Sequence, residues 1–242
     1  MELNQHYTDL DHQFREEDSY ALLKYHLTFK TLQKHQNAGS LSILEVGCGS
    51  GLFTELALRK GFSVFSIEPD PAAFKVALFR NLDNAKRIQN VDIFQFSIRE
   101  KFDVVILHDV LEHIENDAKA IERISTFLNK DGILIVSVPA HSFLFGNHDV
   151  QLGHYRRYNR KTLRVTLQSY FELREARYLG VLGIPAALYY SRFRRIPYPQ
   201  KGKGLALYIF KVSLKLESFI NLRFGSSLYA VGYPKVTKSI NV

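Results

Sequence analysis

A chain of 242 residues with 46% hydrophobic content can bury one sizeable core, which excludes a disordered chain and suits a single α/β domain with insertions. Its one cysteine, Cys48, excludes a disulfide framework and a multi-cysteine metal centre. A net charge of +8 and a pI near 9.4 permit attraction to nucleic acid, anionic membrane or phosphorylated substrates without choosing among them. The opening MELNQHYTDLDHQFREED has no signal-peptide core, and no run reaches the roughly 18 apolar residues of a spanning helix. The nearest, LGVLGIPAALYY from Leu179, is short and holds Pro185. The cytoplasm is the expected compartment.

The pattern over 19–36 predicts an amphipathic helix that stops before the turn-like Asn37-Ala38-Gly39-Ser40, a lid or docking helix ahead of the main domain. Strand and helix signals then alternate: a strand over 41–46, a helix over 51–60, a strand over 63–67, and a helix over 71–81 opened by Pro71. A weaker strand over 91–94 precedes a clear one, FDVVIL at 102–107, apolar on both faces as a central parallel strand should be. A helix over 117–128, closed by Asn129-Lys130-Asp131-Gly132, leads to a strand over 133–138. Beyond it come a loop over 140–158 rich in His, Arg and Tyr, a helix over 160–169, a strand over 172–178, a basic and apolar stretch over 181–225, and a last strand over 226–232. The alternation argues for a doubly wound parallel sheet.

Between the first strand and its helix stands ILEVGCGSG, with Gly47, Gly49 and Gly51 at alternate positions. Glycines there allow positive φ and let the backbone touch a ligand. A dinucleotide fingerprint requires G-x-G-x-x-G, and Leu52 stands where its third glycine belongs. Glu45, two residues before Gly47, would repel a pyrophosphate and favour a ligand carrying ammonium and sulfonium charges, as S-adenosylmethionine does. Either ligand needs an acid at the end of the second strand for a ribose diol. Glu68 in FSIEPD stands there, while Asp70 suits the cap of the helix beginning at Pro71.

These residues resemble the class I S-adenosylmethionine-dependent methyltransferases, in particular their UbiG-like small-molecule group. ILEVGCGSG is similar to their first motif, IEPD to their ribose-binding acid, VDIF to the pair beside the adenine, and FDVVILHDVLEHIEN to their fourth-strand signature. The resemblance covers about residues 41–180 and is specific for cofactor more than for substrate. It implies a Rossmann-like α/β fold with a seven-stranded sheet whose last strand is antiparallel, and a helical cap. It also implies S-adenosylmethionine as cofactor, held by Glu45, Gly47, Cys48, Gly49, Gly51, Glu68, Pro69, Asp92 and Ile93, with His108 and Asp109 at the methionine end. Cys48 itself reads as a small packed residue. The expected division is a helical lid over 1–40, the cofactor-binding domain over 41–180, a helical insertion over 181–225, and the last strand with its tail over 226–242.

In HDVLEHIEN, a helical turn would make Asp109 and His113 neighbours at i and i+4, and likewise His108 and Glu112. The order matches neither H-E-x-x-H nor its inverted form, so no metal is expected, and Glu112 and His113 are assigned to the scaffold. The loop GNHDVQLGHYRRYNRKTL follows the fifth strand, where an acceptor should approach. In-line methyl transfer needs an aligned acceptor and, for an alcohol or phenol, a proton acceptor. Histidine suits that role, with His154 first and His148 second. Arg156 and Arg157 could hold an anionic group of the acceptor, beside Tyr158. The plain structural reading stays open: the arginines pair with acids and His154 caps the next helix.

Residues 181–225 carry eight basic residues against Glu217 alone. A helix over 205–222 would set Lys211 and Lys215 on one face and aliphatic and aromatic residues over the rest. It reads equally as a cap over the acceptor pocket and as a surface for anionic membrane at the inner face. Long aliphatic stretches among the charges disfavour nucleic acid. The expected function is methyl transfer to a hydroxyl, or a carbon, of a small acceptor that is hydrophobic, bears phosphate or sugar, or is lipid-linked. RNA methylation and a non-catalytic cofactor-binding protein are the alternatives.

Overall fold

The computed structural model describes residues 19–35, 40–185, 188–189, 212–213, 216–217, 220 and 222–235. Helix α1 spans Ser19–His35, and strand β1 (Ser42–Val46) feeds α2 (Leu52–Arg59) through the glycine turn. Strand β2 (Ser63–Ile67), α3 (Pro71–Arg80) and the two-residue β3 (Ile88–Gln89) follow, then β4 (Phe102–His108), α4 (Asp117–Ser125) and β5 (Leu128–Pro139). A short α5 (Asn147–Gln151), α6 (Arg160–Leu167), β6 (Phe171–Leu179) and β7 (Ser227–Pro234) complete the described elements. The sheet has seven strands in the order β3-β2-β1-β4-β5-β7-β6. β1 to β5 pair in parallel, and β7 enters antiparallel to both β5 and β6. This is the Rossmann-like doubly wound architecture expected, with its last strand reversed.

Alternation along β1 divides the core. Leu44 and Val46 face a cluster closed by α4 and α6, whereas Ile43 faces one closed by α1 and α2. Asp70 caps α3, accepting from the Ala73 N–H at 2.7 Å, and Pro71 opens that helix, as the sequence indicates.

Helix α1 is more deeply embedded than an amphipathic lid pattern suggests. Leu23, Tyr25, Leu27, Phe29 and Leu32 are buried in the second cluster, and at about 1.5–3 kcal/mol per fully buried side chain this docking contributes on the order of 10 kcal/mol before chain entropy. Three of its polar residues are buried too, and each has a partner: Lys24 pairs with Asp109, Thr28 Oγ1 meets His108 Nε2 at 2.9 Å, and Thr31 Oγ1 meets the Tyr229 hydroxyl at 3.1 Å. The Tyr20 hydroxyl donates to the Gly180 carbonyl at 3.1 Å and lies 2.7 Å from Ser226 Oγ. Gly180 has φ +75°, and a Cβ there would overlap the Tyr20 phenol.

Two elements differ from expectation. Residues 91–94 form a turn rather than a strand, because Asp92 caps it: its carboxylate accepts from Phe94 N at 2.7 Å and its carbonyl from Phe96 N at 2.8 Å. The strand residues are Ile88 and Gln89. Asn129 to Gly132 does not separate α4 from β5 but lies inside β5 as an exposed irregularity, Leu128 pairing with Phe102 and Ile133 with Val104. The expected helix over 205–222 lies largely outside the described residues. Glu217, the insertion's one acid, is buried and accepts from Gly180 N at 2.5 Å and Val181 N at 3.2 Å, anchoring the turn after β6.

Candidate active site

At the carboxyl ends of β1, β2 and β4, where open α/β sheets bind ligands, lies a cleft of about 430 Å³. Its floor is the glycine turn. Gly47, Gly49 and Gly51 have φ of 69°, 55° and 72°, a region L side chains rarely adopt. Gly47 and Gly49 line the cleft; Gly51 instead serves packing, since a Cβ there would come within 3.0 Å of the Ala77 backbone in α3. Cys48 likewise points away, buried with Ala77 and Ile88.

Glu68 is the pivot of the next wall. Its carboxylate accepts from Gly49 N at 2.7 Å and from Asp70 N at 3.0 Å, which fixes both oxygens at the cleft edge. Asn90 ties the strand end, its Nδ2 donating to the Glu68 and Pro69 carbonyls at 2.7 and 3.0 Å. Pro69, Asp92 and Ile93 line the same wall.

The opposite wall comes from the end of β4. His108 is buried between the rings of Tyr25 and Phe53, each centred 5.0 Å away, with Thr28 on Nε2. Asp109 has φ 55°, a left-handed turn aspartate tolerates, so no helix runs from His108, and the helical turn on which the i, i+4 spacing depends is absent there. A short 3-10 turn follows, Leu111–His113. The Asp109 carboxylate pairs with Lys24 from α1, so α1 braces two residues of the cleft wall, His108 and Asp109, without lining the cleft itself.

Glu45 corrects the charge reasoning. It does not line the cleft; it is buried, and Thr54 Oγ1 of α2 donates to it at 2.5 Å. Alternation turns residue 45 to the α1 and α2 face of β1, behind the turn rather than over it. The acids that reach the cleft are Glu68, Asp70, Asp92 and Asp109.

Beyond His108 the cleft is closed by His113, Ile114 and the 151–153 turn. His113, expected to be scaffold, is exposed at this wall, and its ring meets that of His154 edge-on, centroids 4.6 Å apart. His154, 8% exposed in its side chain, does not line the cleft directly; its Nδ1 lies 2.8 Å from Asp149 Oδ1. Asp149 is fully buried and also accepts from Arg157 Nε at 2.7 Å and Gly146 N at 3.0 Å. Burial alone would raise its carboxyl, but the bonds from His154 and Arg157, the Arg157 charge and the Gly146 N–H outweigh that and hold it below the usual carboxylate range. An ionised Asp149 only accepts, so His154 Nδ1 must donate, and the lone pair is left on Nε2. Sequence reasoning passed over Asp149; the signal was an acid five residues before a histidine in a segment without regular pattern.

The remaining loop residues have internal partners. Arg157 is engaged by Asp149, Arg156 NH1 pairs with Asp117 at 2.9 Å, and Tyr158 is buried with its hydroxyl donating to Asp117 at 2.8 Å. Burial, then Asp117, raises the Tyr158 phenol well above its ordinary value. These three, expected to hold the acceptor, build the loop instead, because the buried Asp149 and the half-buried Asp117 take cationic and hydroxyl partners from it. His148, on α5, is absent from the cleft wall. Among the described residues one group could hold a metal ion: Glu112, His113 and His154 offer one ligand atom each, all within 4.8 Å of one another.

Backbone glycines under a positive-φ turn, an oriented acid at the β2 end and a deep wall at the β4 end fit a nucleoside with an amino-acid tail. The fold and this cleft define a class I S-adenosylmethionine-dependent methyltransferase. The chain belongs to the methyltransferase domain family, whose profile matches residues 14–177; that stretch takes in α1. It is 31% identical over 112 residues to the ubiquinone biosynthesis O-methyltransferase of Rhodopseudomonas palustris, and 28% identical over 111 residues to that of Pelagibacter ubique. These matches cover 42% and 45% of this chain and 44% and 46% of those proteins, so the chain spans less than half the length of the curated relatives it matches. Among solved structures it is similar to the N-methyltransferase NodS from Bradyrhizobium japonicum in complex with S-adenosylhomocysteine, with a TM-score of 0.54 at 20% identity over 92% of this chain and 88% of that one. The magnesium protoporphyrin IX methyltransferase of Synechocystis gives 0.54 at 15% identity over 87% and 78%. The cofactor is S-adenosylmethionine, as the sequence indicates. No helix among the described residues is long and apolar enough to cross a membrane.

Proposed function

We propose that this chain transfers a methyl group to a hydroxyl of a small, apolar or phosphate- or sugar-bearing acceptor, with His154 as the proton acceptor. The carrying observation is the buried pair Asp149–His154, which fixes the imidazole tautomer and stands one ring behind the cleft wall. Gly47 and Gly49 cradle the methionine part and ribose, Glu68 takes the ribose hydroxyls, Asp92 and Ile93 flank the base, and His108 and Asp109 border the methionine end. S-adenosylmethionine supplies the electrophilic methyl group. The acceptor oxygen would bond to that carbon as the carbon–sulfur bond breaks, with the hydroxyl proton passing by way of His113, which lines the cleft, to His154 behind it. Asp149 accepts from Nδ1 and so holds the ring in one tautomer and orientation, as carboxylate–histidine pairs do.

The test uses tritiated S-adenosylmethionine and a small-molecule and lipid extract of the expressing cells. Label should enter a non-volatile product of the extract. His154→Ala and Asp149→Asn should each lower that rate about 100-fold while S-adenosylhomocysteine affinity, read by calorimetry, stays within about twofold. Label in RNA, or full turnover by both variants, would remove this reading. The cluster of Glu112, His113 and His154 supports a second: a bound divalent cation that takes the hydroxyl as alkoxide. Turnover abolished by chelation and restored by zinc would give the proton's place to the metal.

A further inference from the structure

Helix α1 carries a buried polar stripe that docking alone does not require. Leu23, Leu27, Phe29 and Leu32 already seat the helix in the second cluster, yet Lys24, Thr28 and Thr31, at i, i+4 and i+7 along one face, are buried beside them. Lysine is among the residue types least often fully buried, and a buried ammonium is tolerated only where a partner answers it. An apolar side chain of similar volume at position 24 would pack without that desolvation cost.

The partners of the stripe follow the chain at the end of β4. Lys24 pairs with Asp109, and Thr28 Oγ1 meets His108 Nε2 at 2.9 Å. Two residues one helical turn apart thus hold two consecutive residues, both of which line the methyl-transfer cleft. Asp109 is the more constrained of these. Its φ of 55° costs a non-glycine residue and persists only where the surroundings over-determine it. Its N–H donates to the Ser137 carbonyl at 2.9 Å, Ser137 Oγ reaches its Oδ1 at 3.4 Å, and Lys24 Nζ donates to Oδ2. The carboxylate is therefore held from β5 and from α1, while its side chain stays 34% exposed against 8% for that of Lys24.

We propose that Lys24 is a positioning residue for the amino-acid end of the cofactor: it holds the Asp109 carboxylate in the orientation that receives the α-ammonium group of S-adenosylmethionine. The inference rests on the placement of Asp109 at the methionine end in the reading above. A charge-assisted hydrogen bond is strong only when aligned, and tying one oxygen from a rigid helix removes the rotation that would spoil the alignment. An opposing effect exists, since removing the lysine charge leaves Asp109 more negative and attracts an ammonium harder. The exposure of Asp109 lets solvent screen that gain, so orientation prevails.

The test is calorimetry of the full chain with S-adenosylhomocysteine and with methylthioadenosine, which keeps the nucleoside and sulfur but lacks the amino-acid end. Lys24→Met preserves the length and apolar packing of the side chain; it should weaken S-adenosylhomocysteine about tenfold and leave methylthioadenosine within about twofold. Asp109→Asn should do the same, and the double variant should bind no more weakly than Asp109→Asn alone, as when one residue acts through the other. Retained methylthioadenosine binding reports an intact fold, whereas a lysine that only stabilised α1 would move both ligands together. If Asp109→Asn changes the two ligands equally, or changes neither, Asp109 is not at the methionine end and the proposal falls with that placement. If Asp109→Asn separates the ligands while Lys24→Met does not, if Lys24→Met tightens S-adenosylhomocysteine, or if the two losses add in the double variant, the placement stands and the role of Lys24 is overturned.

Discussion

Gly47 offers the sharpest test of the cofactor cradle. Its φ is +69°, and a Cβ placed on it would lie 2.6 Å from Val110 Cγ2 and 3.3 Å from Cγ1. Gly47→Ala therefore meets two penalties of separate origin. A left-handed backbone costs an L residue about 1–2 kcal/mol, and forcing a methyl into occupied space costs about 1–3 kcal/mol more. Together they amount to about 2–5 kcal/mol, and at 1.36 kcal/mol per decade the lower bound is already a 30-fold loss of S-adenosylhomocysteine affinity if the strain is relieved by moving the turn. The Val110→Ala change should restore the steric part and leave the backbone part, so the double variant recovers at least about fivefold over Gly47→Ala alone. Calorimetric titration of wild type, both singles and the double, with a melting curve for each, completes the cycle. A Gly47→Ala protein that binds within twofold of wild type, or a double variant no better than the single, would refute the packing account of this turn.

Two further outcomes follow from the same geometry. Glu68→Gln turns an acceptor-only group toward two N–H donors, so its amide must face one of them; S-adenosylhomocysteine affinity should fall about tenfold or more in the same assay, and an unchanged value would take Glu68 out of the ribose site. His141 is held below its ordinary value by burial first and the Arg157 charge second, and His26 is shifted the same way by burial and two lysines. The folded state prefers both rings neutral, so this stability is whole above the free-histidine value of about 6.5 and is lost as pH falls through the lowered folded values. Melting temperature should drop on acidification below about pH 6.5, and His141→Phe should flatten that drop without abolishing it; an identical slope in the variant would count against the assignment.

The alternation of strands and helices and the glycine turn are legible because each is a local rule, read from period and from a run of glycines; the reversed last strand comes from the family resemblance, and the strand order only from the structure. β3 was misplaced by a few residues because Asp92 prefers a side-chain-capped turn, and a two-residue strand leaves almost no periodic signal. Asn129 to Gly132 reads as a turn and was absorbed into β5, since a strand long enough can carry an irregularity where it is exposed. Glu45 was assigned by nearness in sequence, but a strand residue faces whichever side the pleat dictates, and Thr54 already waits there. The loop after β5 shows the opposite limit. His154 could be picked by residue type, whereas Asp149, Arg157 and His113 acquire meaning only from a fold that brings 113, 149, 154 and 157 together.

Helix α1 has a consequence for how the protein is made. Its tethers are remote: Tyr20 meets Gly180 and Ser226 at separations of 160 and 206 residues, and Thr31 meets Tyr229 at 198. At about 5–20 residues per second of synthesis, this helix leaves the ribosome roughly 10–40 s before its last partners exist. During that interval Leu23, Leu27 and Leu32, which the finished domain buries, have only the β1 and α2 part of their native cluster to rest on, so this early-made helix is one that chaperones have a long opportunity to shelter.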